Sequence, residues 1–219
     1  MKSEEFIREV DEELQRDRLN TLWRRYGRVV IAAAVLLVVG VAAQQAWLAW
    51  QASQQAKVAT QYAEIDGQMR EGTFADAARE FDALAANAPA GFVELARLRE
   101  AAAADALKDP AARAAALDKL ASDPKADPLL RDLAVLLAVS GELDSGDPAT
   151  LQGRLAPLAA AGQPWRNSAR EMQALLYIRT GETEKARPIL DELTKDAAAT
   201  PAQQQRVAAI LQSLGGAGS

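Results

Sequence analysis

The sequence predicts an all-α protein in which a single transmembrane helix is followed by a solenoid of paired helices. Hydrophobic residues make up 49% of the 219 positions, and many of them are alanine, the residue with the highest helix propensity. Residues 29–56 carry no charged side chain, and beyond them short helix-forming stretches alternate with proline and glycine. Aromatic and β-branched residues are scarce outside the apolar segment, so strands are not expected.

The transmembrane helix is predicted over residues 29–50. At a rise of about 1.5 Å per residue, this stretch spans the hydrocarbon core of a bilayer, which is about 30 Å thick. Arginines stand before its first residue and tryptophans stand near its last, as is typical of the two water interfaces of a membrane. The residues that we expect to anchor the helix are Arg24, Arg25, Arg28, Trp47 and Trp50.

Two alternatives to a membrane anchor can be weighed against the sequence. A buried core helix needs fewer uncharged residues than this segment has. A cleavable signal peptide fits the small residues Val41, Ala42 and Ala43. However, the preceding 28 residues carry seven acidic and seven basic side chains, unlike the short positive region of a signal peptide. A retained anchor is therefore favoured.

The distribution of basic residues predicts the orientation of the anchor. Five arginines lie in the twenty residues before Val29, whereas only Lys57 and Arg70 lie in the twenty after Trp50. Because positive charge is retained on the cytoplasmic side, the N-terminus is expected in the cytoplasm and the large domain across the membrane. For a bacterial inner membrane, this places the domain in the periplasm.

Residues 1–28 form a predicted cytoplasmic leader with amphipathic helical character. Phe6, Ile7, Val10 and Leu14 recur on one helical face, acidic residues dominate the first half, and arginines dominate the second. The leader is compatible with a helix that rests on anionic lipid. It is equally compatible with a helix that docks on a cytoplasmic protein.

Proline and glycine mark the helix boundaries of the remaining domain, residues 51–215. Aspartate precedes proline at Asp109, Asp127 and Asp147, which predicts an N-cap followed by proline in the first turn. Thr200 precedes Pro201 in the same way, with Gln203 predicted to complete a capping box. Left-handed C-caps are predicted at three glycines, namely Gly72, Gly141 and Gly181. Pro157 and Pro188 fall inside predicted helices, where each must bend a helix or delay its start.

Pairing these helices gives a repeat. Units begin near Lys57, Gly91, Asp127 and Pro164, which are 34, 36 and 37 residues apart. This period is close to the 34 residues of a tetratricopeptide repeat. Residues 201–214 are predicted to cap the solenoid, and residues 216–219 to form a flexible tail.

The composition narrows the possible chemistry. The chain contains no cysteine and no histidine, which removes thiol catalysis, thiolate or imidazole metal sites and the commonest general base. The whole net charge of −5 lies from Lys57 onward, and an acidic domain disfavours nucleic-acid binding. Ser53 and Lys57 suggest a hydrolase dyad as an alternative, but nothing nearby suggests an oxyanion hole. We therefore expect no enzyme activity, no cofactor and no metal.

Two places in the sequence are candidates for partner binding. Gln44, near the far end of the predicted span, can bond a neighbouring transmembrane helix or lie among lipid headgroups. The last repeat opens with an aromatic and basic stretch that either packs on the preceding unit or lines a peptide-binding groove. Its candidate residues are Trp165, Arg166, Arg170 and Tyr177.

The N-in single span, the alanine-rich repeats and the segment from Pro164 through Tyr177 to Leu190 resemble the YfgM-like inner-membrane family. The resemblance implies an ancillary subunit of the Sec translocon that contacts translocon subunits, periplasmic chaperones and emerging polypeptides during protein export. The alternative is a repeat scaffold of another envelope machine, for cytochrome maturation, cell division or outer-membrane biogenesis. The sequence does not predict an oligomeric state.

Overall fold

The computed structural model describes the backbone of residues 2–216 and the side chains of residues 23, 25–29 and 31–215. Within these residues all regular elements are helices, which confirms the predicted all-α fold. The helices are α1 (Lys2–Glu71), α2 (Phe74–Asn87), α3 (Phe92–Ala106), α4 (Pro110–Ala121), α5 (Pro128–Glu142), α6 (Pro148–Leu155), α7 (Arg166–Arg179), α8 (Thr183–Lys195) and α9 (Pro201–Gly216).

Helix α1 contains the predicted membrane anchor. Its portion Arg25–Glu71 is long and apolar enough to cross a membrane, and none of the side chains in its most apolar window is buried. Complete exposure of an apolar helix is not expected of the core of a soluble protein. The exposed rings of Trp47 and Trp50 have centroids 5.2 Å apart, and Arg28 is also exposed. The guanidinium of Arg25 lies 5.7 Å from the ring centroid of Tyr26.

Part of the predicted leader and tail cannot be compared with the structure. The side chains of residues 1–22 and of Arg24 lie outside the described residues, and so do residues 217–219. The amphipathic face of the leader and the role of Arg24 as an anchor therefore stay predictions. Gly216 is the last residue of α9, so the described part of the predicted tail is helical.

The helices that follow the predicted anchor form pairs, as the repeat period predicts. One compact unit begins at Lys57 and contains the end of α1 together with α2 to α9. Each helix packs mainly against the helices that precede and follow it, as in a solenoid. Helix pairs α3/α4, α5/α6 and α7/α8 start at or just after the predicted unit boundaries.

The hydrophobic core is distributed along the solenoid. Phe81 and Ala77 of α2 are fully buried against Ile65 of α1. The equivalent residues of the last unit, Ala186 and Leu190, are buried with α9. Small residues where helices touch and large ones where they interlock give the close pairing that the sequence predicted.

The aspartate N-caps are confirmed. The carboxylate of Asp109 accepts a hydrogen bond from the backbone N of Ala112 at 2.9 Å, and that of Asp127 accepts from Leu129 at 2.7 Å. Asp147 accepts from the N–H of Thr150 at 2.8 Å. Each satisfies a donor that the first helical turn cannot satisfy internally.

The capping box at α9 is only half formed. The hydroxyl oxygen of Thr200 accepts a hydrogen bond from the backbone N of Gln203 at 3.2 Å, as predicted. The side chain of Gln203 does not turn back to the cap, however, because its amide donates to the buried carboxylate of Glu171 at 2.8 Å. A buried acceptor on α7 thus takes the group that the capping box would have used.

Two of the three glycine C-caps are confirmed and one prediction is wrong. Gly72 and Gly181 adopt left-handed φ angles of 84° and 78°. Gly141 instead lies inside α5, where a Cβ atom would stand 1.4 Å from Nη1 of Arg113. The guanidinium of Arg113 therefore lies against Gly141, and a larger residue at 141 would have to displace the end of that flexible side chain.

The two prolines that the sequence placed within helices have different outcomes. Helix α6 ends at Leu155, so Pro157 lies beyond it. Pro188 lies inside α8, where it has no N–H to donate to the preceding turn.

Candidate protein-binding surface

Three predicted binding residues of α7 lie on the face of that helix that contacts α8. Arg166 Nη1 is 3.0 Å from Oδ2 of Asp196, and Arg170 Nη2 is 2.5 Å from Oε2 of Glu192. The Tyr177 ring packs with the core cluster of α8 and α9, and Lys185 Nζ lies 5.4 Å from its centroid. The structure thus brings the three side chains to one helical face, where α8 and the residue after it, Asp196, engage their charges and ring. A role for them in partner binding stays a prediction.

The hydrogen bonds around Asp196 favour its ionised form. A backbone hydrogen bond from Ala198, together with bonds from Asn167 and Arg166, lowers the pKa of Asp196 below its ordinary value. Asp196 is therefore a carboxylate near neutral pH and an ionised partner for Arg166.

Trp165 joins the third and fourth repeat units. Its indole Nε1 donates a hydrogen bond to the carbonyl oxygen of Leu129 at 3.1 Å, across a sequence separation of 36 residues, which is one repeat. Its ring packs against the core cluster that contains Leu151 and Leu155. This is the packing alternative that the sequence had left open; a contact with a partner stays a prediction.

Gln44 lies in the apolar part of α1, and its side chain is exposed. Within the described residues it is not part of any core cluster. Its predicted contact with a second transmembrane helix is therefore not tested by the structure of a single chain.

An apolar strip that sequence reasoning did not single out runs along α5. Leu129, Leu133 and Leu137 recur every four residues and so lie on one side of the helix. Leu129 is 44% exposed and Leu137 is 36% exposed, while Leu133 is half-buried. We call these three residues the leucine ridge.

The leucine ridge is exposed because the other two sides of α5 are already covered. Ala134 and Ala138 pack into the core cluster formed with α4. Leu136 and Val139 pack into the cluster formed with α6 and α7. A helix that is apolar on three sides but covered on two leaves one apolar side facing solvent.

Helix α3 exposes a similar, smaller set of apolar residues. Leu95 is 44% exposed, and Ala102 and Ala106 follow it on the same side of the helix. Arg99 lies among them, with Nε 3.1 Å from Oδ1 of Asp66 and 3.2 Å from the hydroxyl of Tyr62. The hydrogen bond to Tyr62 raises the pKa of Arg99, so its charge is fixed at any physiological pH.

The buried carboxylates of the domain hold repeat units together. Glu94 is only 4% exposed, and its two oxygens accept hydrogen bonds from the backbone N–H groups of Gly91 and Asp127, which start consecutive units. Glu171 accepts from Gln203 at 2.8 Å and from Arg206 at 3.1 Å, which ties α7 to α9. Both carboxylates are thus satisfied within the solenoid. Among the described residues no group of acidic side chains is arranged to hold a metal ion.

A comparison with protein-family models matches residues 20–215 to the tetratricopeptide repeat-like domain. The match begins before the predicted membrane segment and ends at the last helix of the solenoid. No curated protein and no solved structure shows significant similarity to the chain.

Proposed function

The chain belongs to the tetratricopeptide repeat-like domain family, and from this we infer that it is a membrane-tethered scaffold that binds protein partners and catalyses no reaction. Stacked repeats of this kind create extended surfaces for other polypeptides. The observation that carries the proposal is the leucine ridge, since neighbouring leucines that a fold leaves in water favour contact with another apolar surface.

The ridge is suited to apolar segments of other proteins. Leucines spaced by four residues on one helix can receive the apolar face of a helix or alternate side chains of an extended segment. A few such side chains can supply most of the binding energy of an interface.

The proposed topology follows the basic residues around the anchor. The leader 1–28 is cytoplasmic, residues 29–50 cross the bacterial inner membrane, residues 51–215 form the periplasmic domain and residues 216–219 are a tail. Arg24, Arg25 and Arg28 on one side of the span, and Trp47 and Trp50 on the other, support this orientation. Tethering keeps the domain near membrane partners at a high effective concentration, so that weak binding is sufficient.

The proposed partners follow from the resemblance to the YfgM-like family. They are subunits of the Sec translocon, a periplasmic chaperone and polypeptides that emerge during export. Emerging polypeptides expose apolar segments before they fold, and such segments have the chemistry that the leucine ridge can bind. Arg166, Arg170, Tyr177, Trp165 and Gln44 remain proposed secondary contacts.

The test is photocrosslinking in living bacterial cells. A photoreactive residue is placed in turn at Leu137, Arg170 and Gln44, with Glu184 on the exposed side of α8 as a matched control. We expect adducts with translocon subunits, a periplasmic chaperone or exported chains at Leu137, and none at Glu184. Adducts only with a different envelope complex would support the alternative machine. Equal labelling at Leu137 and Glu184 would contradict a role for the ridge.

A matched variant separates binding from folding. Leu129→Gln changes an exposed side chain, so the melting temperature should be nearly unchanged. The yield of the Leu137 adducts should fall by about fivefold, because an apolar contact of the ridge is lost. An unchanged yield would exclude the ridge as the binding surface.

A further inference from the structure

An open groove of about 460 Å³ lies between α1 and α2 in the first repeat unit. Its apolar lining includes Val58 and Ile65 of α1 and Leu84 of α2. We call it the terminal groove. It is separate from the leucine ridge, which lies on α5.

The terminal groove is on the outer end of the solenoid. Ala83 and Asn87 of α2 line it, whereas Asp82 on the other side of α2 contacts Arg97 of α3 and Lys119 of α4. The groove therefore faces away from the second unit. A solenoid repeat buries its faces against neighbours on both sides, whereas within the unit that begins at Lys57 only α1 and α2 line this groove.

The opposite end of the solenoid shows how such a face is covered. Helix α9 packs Val207, Ile210 and Leu211 into the core cluster of α7 and α8. Next to this apolar side, Arg206 of α9 pairs with Glu171 of α7 at 3.1 Å. The covering helix thus combines an apolar strip with a basic residue that reaches an acidic partner.

The terminal groove is suited to a helix that likewise combines an apolar strip with basic residues. Two carboxylates, Glu64 and Glu80, line it, and no lysine or arginine does. Among the described residues, the Glu80 carboxylate accepts hydrogen bonds only from the neutral amide of Gln68, at 3.1 Å to each oxygen. Two acidic groups beside an apolar floor favour a cationic and apolar ligand.

We propose that the terminal groove binds an amphipathic helix of a protein partner that carries lysine or arginine beside its apolar strip. The partner helix adds to the first repeat as α9 adds to the last. Its apolar side chains contact Val58, Ile65 and Leu84, and its basic side chains pair with Glu64 and Glu80. This inference does not rest on the leucine ridge or on the identity of its partners.

Binding of a defined peptide tests the proposal on the full chain in phosphatidylcholine nanodiscs. The probe is a fluorescent helical peptide with leucines on one face and lysines on the other, and its control has glutamate in place of every lysine. We expect the lysine peptide to bind and the glutamate peptide not to bind. The double variant Glu64→Gln with Glu80→Gln should weaken binding of the lysine peptide by about tenfold.

A control variant of equal charge change distinguishes site binding from general attraction to an acidic domain. Glu184→Gln with Asp191→Asn removes two exposed carboxylates of α8. This variant should bind the lysine peptide as the wild type does. Equal weakening by both double variants would overturn the proposal, as would equal binding of the two peptides.

Crosslinking locates the bound peptide and identifies a competing occupant. A photoreactive residue at Ala83, in the groove, should capture the lysine peptide, and one at Ala115, exposed on α4, should not. Capture of a second copy of the chain at Ala83 that the peptide does not displace would overturn the proposal. Leu129→Gln should leave peptide binding unchanged, so failure of this site is distinguishable from failure of the leucine ridge.

Discussion

Lys108 stands in a left-handed backbone position that glycine occupies in two other units. Its φ angle is 57°, close to the angles of 84° and 78° at Gly72 and Gly181. It follows the end of α3, and the next residue, Asp109, donates its backbone N–H to the carbonyl of Ala104 at 2.9 Å. A side chain with a Cβ atom is strained in this conformation, because the Cβ approaches the backbone carbonyl.

Lys108→Gly should therefore stabilise the domain by about 1 kcal/mol, since glycine adopts this conformation without the steric penalty. The measurement is chemical unfolding of the full chain in detergent, followed by circular dichroism. The control is Lys125→Gly, at an exposed turn residue with an ordinary φ angle, which should not stabilise. A Lys108→Gly variant no more stable than wild type would contradict the prediction that Lys108 strains the backbone.

The comparison of Lys108 with Gly141 shows what residue identity can and cannot predict. Glycine at Gly72 and Gly181 correctly marked left-handed helix ends, because few other residues enter that region readily. The prediction at Gly141 was wrong because this glycine lies within α5, with the guanidinium of Arg113 against it. Lys108 was not found because a lysine gives no local signal for the left-handed region.

At the scale of the helix, Asp82 connects three elements. From α2 it contacts the guanidinium of Arg97 on α3, and its Oδ1 lies 2.9 Å from Nζ of Lys119 on α4. Hydrogen bonds from Arg97 and then from Lys119 lower the pKa of Asp82 below its ordinary value of 3.8. The folded state therefore favours the ionised carboxylate more than the unfolded state does.

Asp82→Asn should lower stability by roughly 0.5–1 kcal/mol near neutral pH, a modest value because the pair is half exposed to solvent. The lowered pKa means that the contribution of Asp82 is complete above about pH 4 and is lost as the pH falls through the folded pKa. Urea unfolding at several pH values should therefore show a gap between wild type and variant that closes at low pH. Asp144→Asn, at an exposed residue, should show no such gap. A gap that persists at low pH would mean that the variant acts through packing and not through charge.

The sequence could predict only part of the binding surface on the helices. The sequence singled out Arg166, Arg170 and Tyr177 in one repeat unit, and their spacing puts them on one face of α7. Periodicity gives the angle between residues but not which neighbour a face meets, so the contact with α8 was not foreseen. The leucine ridge was missed because leucine ordinarily fills a core, and only the packed neighbours of α5 show which leucines remain exposed.

For the whole molecule, the order of a long apolar helix and a helical repeat domain was predicted correctly from charge and period alone. Residues 29–56 lack charge, and the units that start at Lys57, Gly91, Asp127 and Pro164 correspond to successive helix pairs. These signals are strong because a bilayer and a repeat each impose a fixed length on the chain. The side of the membrane depends on the basic residues around the span and is a proposal.

Cysteine labelling tests the proposed topology in cells. The chain contains no cysteine, so single substitutions give no background. A membrane-impermeant maleimide added to spheroplasts should label Ser140→Cys in the solenoid at once, because the proposed orientation places the solenoid outside the cytoplasm. Ser3→Cys should react only after the membrane is permeabilised. The reverse pattern would invert the topology, and labelling of both residues without permeabilisation would exclude a single span.

Contacts along the solenoid join residues that are close in sequence, and this separation affects how the domain folds. The bonds between units join residues about one repeat apart, such as Trp165 to Leu129 or Arg154 to Asp118, 36 residues each. Loop closure over such distances is fast, and among the described contacts of residues 57–215 the helices pair with neighbours in sequence and not with the far end of the chain. A domain that emerges N-terminus first can therefore fold progressively. Each repeat completes its core as soon as the next one has emerged.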